Sequence, residues 1–402
     1  MPQVKPDIQT FARIKVVGVG GSGCHALARM MALRVEGVEF VAINTDAQDL
    51  HNSNAPQKIH IGKNLTRGLG AGMNPEIGRQ AAEENRDELQ EALRGSDMVF
   101  VAGGLGGGTC TGAAPIVAEA AKQSGALTVA VITKPFAFEG MQRARLAEEG
   151  LASLRERVDT LITIQNDRLL QIIDRKTTLL NAFAIVDDVL RQGVQGISDL
   201  VVQPGIVNVD FADIKAIMQD AGPALMGIGH ASGEERAMEA ARSAINSPLL
   251  DISIDGARGV LFCVSGGDDL AMSEINDAAK VITDSINPEA KVIFGAVLDE
   301  RLKKGELKVT VIATGFSDND NIGSRKEETS RRERGIPDIQ KRVADHRHES
   351  PVSITVSSEK EYVEENENNN ANKVRPLETN IPVATEEEED WDIPAFIRKK
   401  LK

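Results

Sequence analysis

Short, uninterrupted apolar runs most constrain what this chain can fold into. IKVV (14–17), VEFVAI (38–43), MVFVA (98–102), LTVAVIT (127–133) and TLITI (160–164) follow one another from Arg13 onward. Runs this short and this apolar suit strands covered on both faces. Between two of them, Glu76–Leu93 reads as a helix charged on one side, as a solvent-facing crossover would be. Such alternation predicts an α/β fold with a mostly parallel, doubly wound sheet. Further runs, VLFCV (260–264), VIFGAVL (292–298) and LKVTVIA (307–313), indicate a second, smaller α/β unit.

A long helical pattern separates the two groups. Leu179, Phe183, Val186, Leu190, Val194, Ile197 and Val201 recur every three or four residues, which places them on one stripe of a core helix. Pro204 and Gly205 end it. From 317 to 385 the composition turns to Asp, Glu, Asn, Ser, Arg and Lys, including EENENNNANK. That segment cannot bury enough apolar surface to offset the entropy of ordering, so a disordered linker is expected. Residues 386–402 differ. They set Trp391, Ile393, Pro394, Phe396, Ile397 and Arg398 between an acidic run and a basic end, the pattern of a docking peptide.

Charge and composition exclude several function classes. Sixty acidic residues against 46 basic ones give a net charge of −14, which argues against gripping duplex nucleic acid through a basic face. No apolar stretch approaches membrane-spanning length, and MPQVKPDIQTFARIK lacks the apolar core of a signal peptide. Cys24, Cys110 and Cys263 match neither a disulfide framework nor a zinc motif, so a reducing, cytoplasmic setting is expected. Aromatic residues amount to 3%, which makes the core aliphatic.

The first run leads into GVGGSGCHALARM, where Gly18, Gly20 and Gly23 satisfy G-x-G-x-x-G ahead of a helix. Glycines there allow a tight turn and bring backbone N–H groups to a phosphate at the positive end of the helix dipole. Alone, the motif also fits an NAD-dependent Rossmann oxidoreductase, with Asp46 as its ribose-binding acid. A second loop shifts the balance. MVFVA runs into GGLGGGTCTGAAPIVAEAA, with Gly103, Gly104, Gly106, Gly107 and Gly108 ahead of Thr109 and Thr111. Two such loops converge on one crevice at the carboxyl edge of the sheet and offer donors for more than one phosphate. No Lys follows either loop, so the pattern G-x-x-x-x-G-K-[ST] is excluded.

GGLGGGTCTG closely resembles the GGGTG[ST]G signature of the tubulin and FtsZ superfamily. NTDAQ (44–48), GLGAGMNPEIG (68–78), TKPFAFEG (133–140), NDRLL (166–170) and NVDFADI (208–214) resemble FtsZ segments, and DIPAFIRKK resembles the FtsZ docking tail. The resemblance implies a flexible N-terminus (1–12), a Rossmann-like GTP-binding domain (13–178), a central helix (179–203) and a GTPase-activating α/β domain (204–316). The linker (317–385) and partner-docking tail (386–402) complete the chain. It also implies GTP and GDP as ligands with Mg²⁺, or K⁺, as the cation, and assigns no protein side chain to the metal. On this resemblance Gly20, Gly21, Ser22, Gly23, Cys24 and His25 form one phosphate loop, with Asn44 beside it. Gly104, Gly106, Gly107, Gly108, Thr109, Cys110 and Thr111 form the other. Glu139 and Arg143 face the ribose, and Asn166, Phe183 and Asp187 the guanine. A carboxylate suits guanine because it accepts from both N1–H and the 2-amino group.

Two positions depart from the family pattern, which usually has Asn where His25 stands and Gly where Cys110 stands. If position 110 needs a positive φ, a β-carbon costs about 1–2 kcal/mol there, whereas in a helix it is harmless. Cys24 and Cys110 beside the phosphates would make affinity thiol-sensitive. These departures keep a non-hydrolysing, tubulin-like scaffold open as an alternative.

Neither glycine loop contains a carboxylate to orient a water. Asp210 and Asp213 stand three residues apart at the start of a helix, where plain N-terminal capping is the alternative reading. Roughly twenty helical residues, about 30 Å, separate them from Asp187. They are therefore out of reach of their own subunit's γ-phosphate but can reach a neighbour's if subunits stack head to tail, a contact that propagates into a filament. The resemblance implies the same arrangement, in a division ring at midcell beneath the membrane. It further implies that the tail docks on an adaptor of FtsA or ZipA type, with no direct membrane insertion and no nucleic-acid partner.

Overall fold

The computed structural model describes residues 12–172, 177–202, 205–207, 209–247, 253–299 and 301–316. The expected linker and the docking residues Trp391, Ile393, Pro394, Phe396, Ile397 and Arg398 lie outside the described residues. In chain order the first elements are β1 (Ile14–Val19), α1 (Gly20–Ala32), β2 (Val38–Asn44), α2 (Ala47–Asn52), β3 (Gln57–His60), α3 (Lys63–Thr66), α4 (Pro75–Glu84) and α5 (Arg86–Leu93). Next come β4 (Met98–Gly104), α6 (Gly108–Gln123), β5 (Leu127–Lys134), α7 (Met141–Arg155), β6 (Thr160–Gln165), α8 (Asn166–Ile172) and α9 (Leu179–Val202). The last are α10 (Phe211–Met218), β7 (Gly222–Ser232), α11 (Arg236–Ile245), β8 (Gly259–Gly266), α12 (Met272–Thr283), β9 (Lys291–Leu298) and β10 (Glu306–Thr314).

All ten strands join one sheet in the order β3-β2-β1-β4-β5-β6-β7-β10-β8-β9. Neighbours from β3 to β7 are parallel, β10 runs antiparallel to β7 and β8, and β9 is parallel to β8. The direction of winding reverses between β1 and β4. Connections leaving those two carboxyl ends therefore diverge and open a crevice. The larger parallel half meets the rest through a ladder of three pairs, Thr160↔Gly222 to Ile162↔Ala224.

The apolar runs are buried on both faces. Ile14, Val16, Met98 and Phe100 pack with residues of α1 and α9, whereas Val17, Val19, Val99 and Val101 pack with α4, α5 and α6. That partition follows the two-residue period of a strand. On α9, Val186, Leu190, Val194 and Ile197 are buried, and the same core continues into Leu261, Cys263 and Ile312. Residues of α11, α12, β8 and β10 form a further core. Among the described residues no helix is long and apolar enough to cross a membrane.

One expectation is corrected. Glu76–Leu93 is not a single helix but breaks at Asn85 (φ −108°, ψ 23°). The Asn85 side chain accepts from the Gly62 N–H at 3.0 Å and donates to Glu88 at 2.8 Å, one tertiary and one local bond that compete with helical continuation.

Beside the crevice, α4 and α6 approach backbone to backbone. A β-carbon at Gly112 would stand 1.9 Å from the Pro75 carbonyl oxygen. This contact seats the turn before α4 over the second glycine loop, where the Gly108 N–H donates to the Gly72 carbonyl at 2.8 Å. Gly112→Ala is expected to destabilise the fold by about 3 kcal/mol through this overpacking. Urea unfolding checks it, and an unchanged midpoint would show that the two helices can part freely.

Candidate functional site

Loops from the carboxyl edge near the β1/β4 reversal enclose one cleft of about 630 Å³. α1 contributes Gly20, Gly21, Ser22 and His25; the second loop and α6 contribute Gly104, Gly107, Gly108, Thr109 and Cys110. Glu139 and Arg143 come from the region after β5, Asn166 from the start of α8, and Phe183 and Asp187 from α9.

Backbone geometry makes this an anion site. α1 and α6 both open onto the cleft, and neither has a capping side chain. By contrast α2, α4 and α10 are capped by Asp46, Asn74 and Asp210. An uncapped helix start leaves N–H groups unmet at the positive end of the dipole, which suits a phosphate. Gly20 (φ +73°) and Gly106 (φ +99°) supply the left-handed turns that aim the backbone this way. The loops are tied together. The Gly104 N–H donates to Ser22 Oγ at 2.7 Å, the Gly106 N–H to Thr111 Oγ1 at 2.9 Å, and the hydroxyls of Thr45 and Thr109 meet at 2.6 Å.

The other end of the cleft suits a flat, donor-rich ring. Phe183 is partly exposed and stands edge-on to buried Phe136, with centroids 5.6 Å apart. Asn166 Oδ1 is buried without a hydrogen-bond partner, so a ligand donor there would satisfy it. Burial pushes Asp187 up to about 6, partly offset by nearby His25 and Arg29. Glu139 accepts from the Phe136 N–H at 3.0 Å and pairs with Arg143 at 2.5 Å.

Five of the sequence candidates stand behind the cleft wall instead of lining it: Gly23, Cys24, Asn44, Gly106 and Thr111. A β-carbon at Gly23 would meet the Ala102 carbonyl oxygen at 2.7 Å, so this glycine serves the close approach of α1 to β4. Cys110 lies in the first turn of α6 without a positive φ, so its β-carbon is unstrained. Burial pushes both Cys24 and Cys110 up to about 12, which keeps them neutral and poorly nucleophilic, against the expected thiol sensitivity. Asp46 is spent on the N–H groups of Gln48 (2.9 Å) and Asp49 (3.0 Å) and does not line the cleft, which removes the ribose acid of a dinucleotide site.

Sequence reasoning missed Gly72, Leu105, Thr133, Pro135, Leu180, Val186 and Leu190 as lining residues. Val186 and Leu190 belong to the apolar stripe of α9, which periodicity reads only as core. Asp210 and Asp213 are not at this cleft. Both are exposed, and Asp210 accepts from the Ala212 N–H at 3.3 Å as the cap of α10. α10 ends where the Met218 carbonyl accepts from Thr160 at the amino end of β6, whereas Asn166 follows the carboxyl end of that strand. Among the described residues no group of three or more His, Cys, Asp or Glu side chains gathers as a metal site.

Known proteins share this arrangement. The GTPase domain of the Tubulin/FtsZ family matches residues 13–174, and the C-terminal domain of the FtsZ family matches residues 222–317. An empty FtsZ dimer from M. jannaschii is similar at 48% identity and TM-score 0.74, over 77% of this chain and 89% of that one. This chain belongs to the FtsZ family. A point mutant of FtsZ from M. jannaschii gives the same identity and TM-score over 77% and 92% of the two chains. CetZ2 from Haloferax volcanii, solved as a GTPγS-bound protofilament, shares the fold at 20% identity, with TM-score 0.67 over 80% and 99%. As an FtsZ the chain is a GTP- and GDP-binding GTPase of the tubulin type, and the oxidoreductase and inert-scaffold readings are not favoured.

Two outcomes follow from the ionisation states. The raised Asp187 makes the ligand-free fold bind more protons than the unfolded chain between about pH 4 and 6, so its contribution to stability falls as pH rises through that window. Asp187→Asn should therefore raise the unfolding midpoint of nucleotide-free protein at pH 7.5 more than at pH 4, while weakening GDP binding about tenfold or more. An equal effect on the midpoint at both pH values would contradict the burial argument. Cys263 is also buried, and burial pushes it up to about 11. Native protein should accordingly show no fast-reacting thiol with an aromatic disulfide reagent at pH 7.5, and three after denaturation.

Proposed function

We propose that this FtsZ assembles head to tail and that Asp210 and Asp213 complete the active site of the neighbouring subunit. The observation that carries this reading is the separation of the acids from the cleft. From Leu179 to Val202, α9 extends about 36 Å at 1.5 Å per residue. Its first half lines the cleft, and the two aspartates follow its far end. Exposed apolar side chains near the cleft, Leu69, Phe138, Met141 and Leu180, suit a surface that a second copy covers.

In this scheme residues 13–178 bind the nucleotide and residues 204–316 act on the next subunit's γ-phosphate. The unmet N–H groups of α1 and α6 hold the phosphates, Glu139 and Arg143 the ribose, and Asn166, Phe183 and Asp187 the guanine. Asp210 and Asp213 orient the attacking water and take up its proton. Mg²⁺ or K⁺, when bound with the nucleotide, would supply positive charge to the phosphate oxygens, and no side chain of this chain is assigned to hold it. Hydrolysis then proceeds faster in the polymer than in the free subunit. Trp391, Ile393, Pro394, Phe396, Ile397 and Arg398 bind a membrane adaptor of FtsA or ZipA type, which brings the cytoplasmic filament to midcell.

Asp213→Ala should bind GTP normally and still assemble, with turnover reduced at least about a hundredfold. Calorimetry, light scattering and phosphate release check the three steps separately. If the variant loses GTP binding, or if wild-type turnover per subunit does not rise with concentration, the shared-site reading is wrong.

A further inference from the structure

His25 carries a partner that the glycine loops do not require. Its imidazole lines the cleft one turn beyond Gly21 on the same face of α1. Nε2 stands 3.5 Å from Asp49 Oδ1. Asp49 belongs to α2 and does not line the cleft, and its other oxygen accepts from Asn44 Nδ2 at 2.6 Å. Asn44 is buried at the end of β2, and its own Oδ1 accepts from the Asp46 N–H at 3.2 Å. A row of three side chains thus runs from the core to the cleft wall, with Asn44 fixing one carboxylate oxygen and the other facing the imidazole.

The charged surroundings of His25 are few. Asp49 faces it from α2 and Asp187 from α9, and Arg29, one turn further along α1, also acts on Asp187. Cys24 on α1 and Cys110 on α6 are the nearby thiols, and burial keeps both neutral. β4 contributes no ionisable residue. Arg143 is the other basic side chain lining the cleft, and it is tied to Glu139.

We propose that Asp49 is a positioning residue that holds His25 as a switchable positive charge on the wall of the nucleotide cleft, so that GDP binds more tightly when His25 is protonated. The proposal rests on reading the cleft as the GTP and GDP site. Histidine changes charge within the physiological range, and a cation here adds attraction for a polyphosphate that backbone dipoles otherwise hold. An asparagine at position 25 could hydrogen-bond but could not switch. The Asp49 carboxylate, tied to Asn44 and 3.5 Å from Nε2, is placed to hold a positively charged ring beside the cleft.

The test measures GDP affinity of the full chain by calorimetry at pH 6.5, 7.5 and 8.5 and constant ionic strength, for wild type, His25→Asn and Asp49→Asn. Ratios between variants cancel the ionisation of GDP itself. Wild type should bind about tenfold more tightly than His25→Asn at pH 6.5 and within about twofold at pH 8.5, as loss of one charge–charge interaction predicts. Asp49→Asn should lose about two-thirds of that low-pH advantage. A ratio that does not change with pH, or an Asp49→Asn profile matching wild type, overturns the proposal. A second readout needs no nucleotide. The ¹⁵N spectrum of the neutral His25 ring should show the proton on Nε2 in wild type and a mixed tautomer in Asp49→Ala, with unfolding midpoints confirming that both proteins are folded. An unchanged tautomer overturns the positioning role, whereas absence of GDP binding in wild type at every pH would refute the GTP and GDP reading of the cleft.

Discussion

Two helices begin at the point where the sheet reverses, and neither has a side chain to cap it. α1 and α6 thereby direct unmet backbone donors into one cleft, while other helices of the same chain are capped by Asp46, Asn74 and Asp210. A polyphosphate fits that polarity because it brings the negative charge and acceptors that the helix starts lack. The remaining geometry serves the same end. Ser22, Thr109 and Thr111 tie the loops in place, and the α4–α6 contact seats the Gly72 turn against Gly108. A ligand that completes such a site also stabilises the fold by mass action.

α9 sets distance as well as packing. Its buried stripe belongs to a core shared by both halves of the sheet, so the helix cannot shift alone without disturbing side chains from β1 to β10. Near its start it presents Phe183 and Asp187 to the cleft, and beyond its end the chain reaches Asp210 and Asp213. The side chains of the cleft and the two aspartates are thereby separated by a rigid element. That separation leaves the cleft of one subunit lined without either aspartate.

Much of this was legible in the residues because it depends on local pattern. Uninterrupted apolar runs marked eight of the ten strands, but β3 has only four residues and the glycines of β7 obscure its pattern. The glycine loops marked the phosphate end because few other residue types permit that backbone approach. Asn85 escaped notice because its helix-breaking bonds go to Gly62, distant in sequence, as well as to nearby Glu88. Asp49 escaped for a related reason. Its significance comes from Asn44 and His25, which tertiary folding alone brings beside it. Cys110 could be judged only once its place in the first turn of α6 was known.

The narrow ladder between β6 and β7 has a mechanical consequence. β4 and β5 share seven residue pairs and β7 and β10 share nine, whereas β6 and β7 share three. Tension applied across this junction meets little main-chain resistance, and the load passes to the interdigitated side chains of α9. Such packing yields by small sliding displacements, while a long ladder holds until it tears. The sheet is thus more compliant at this junction than in the longer ladders of β4 with β5 and of β7 with β10.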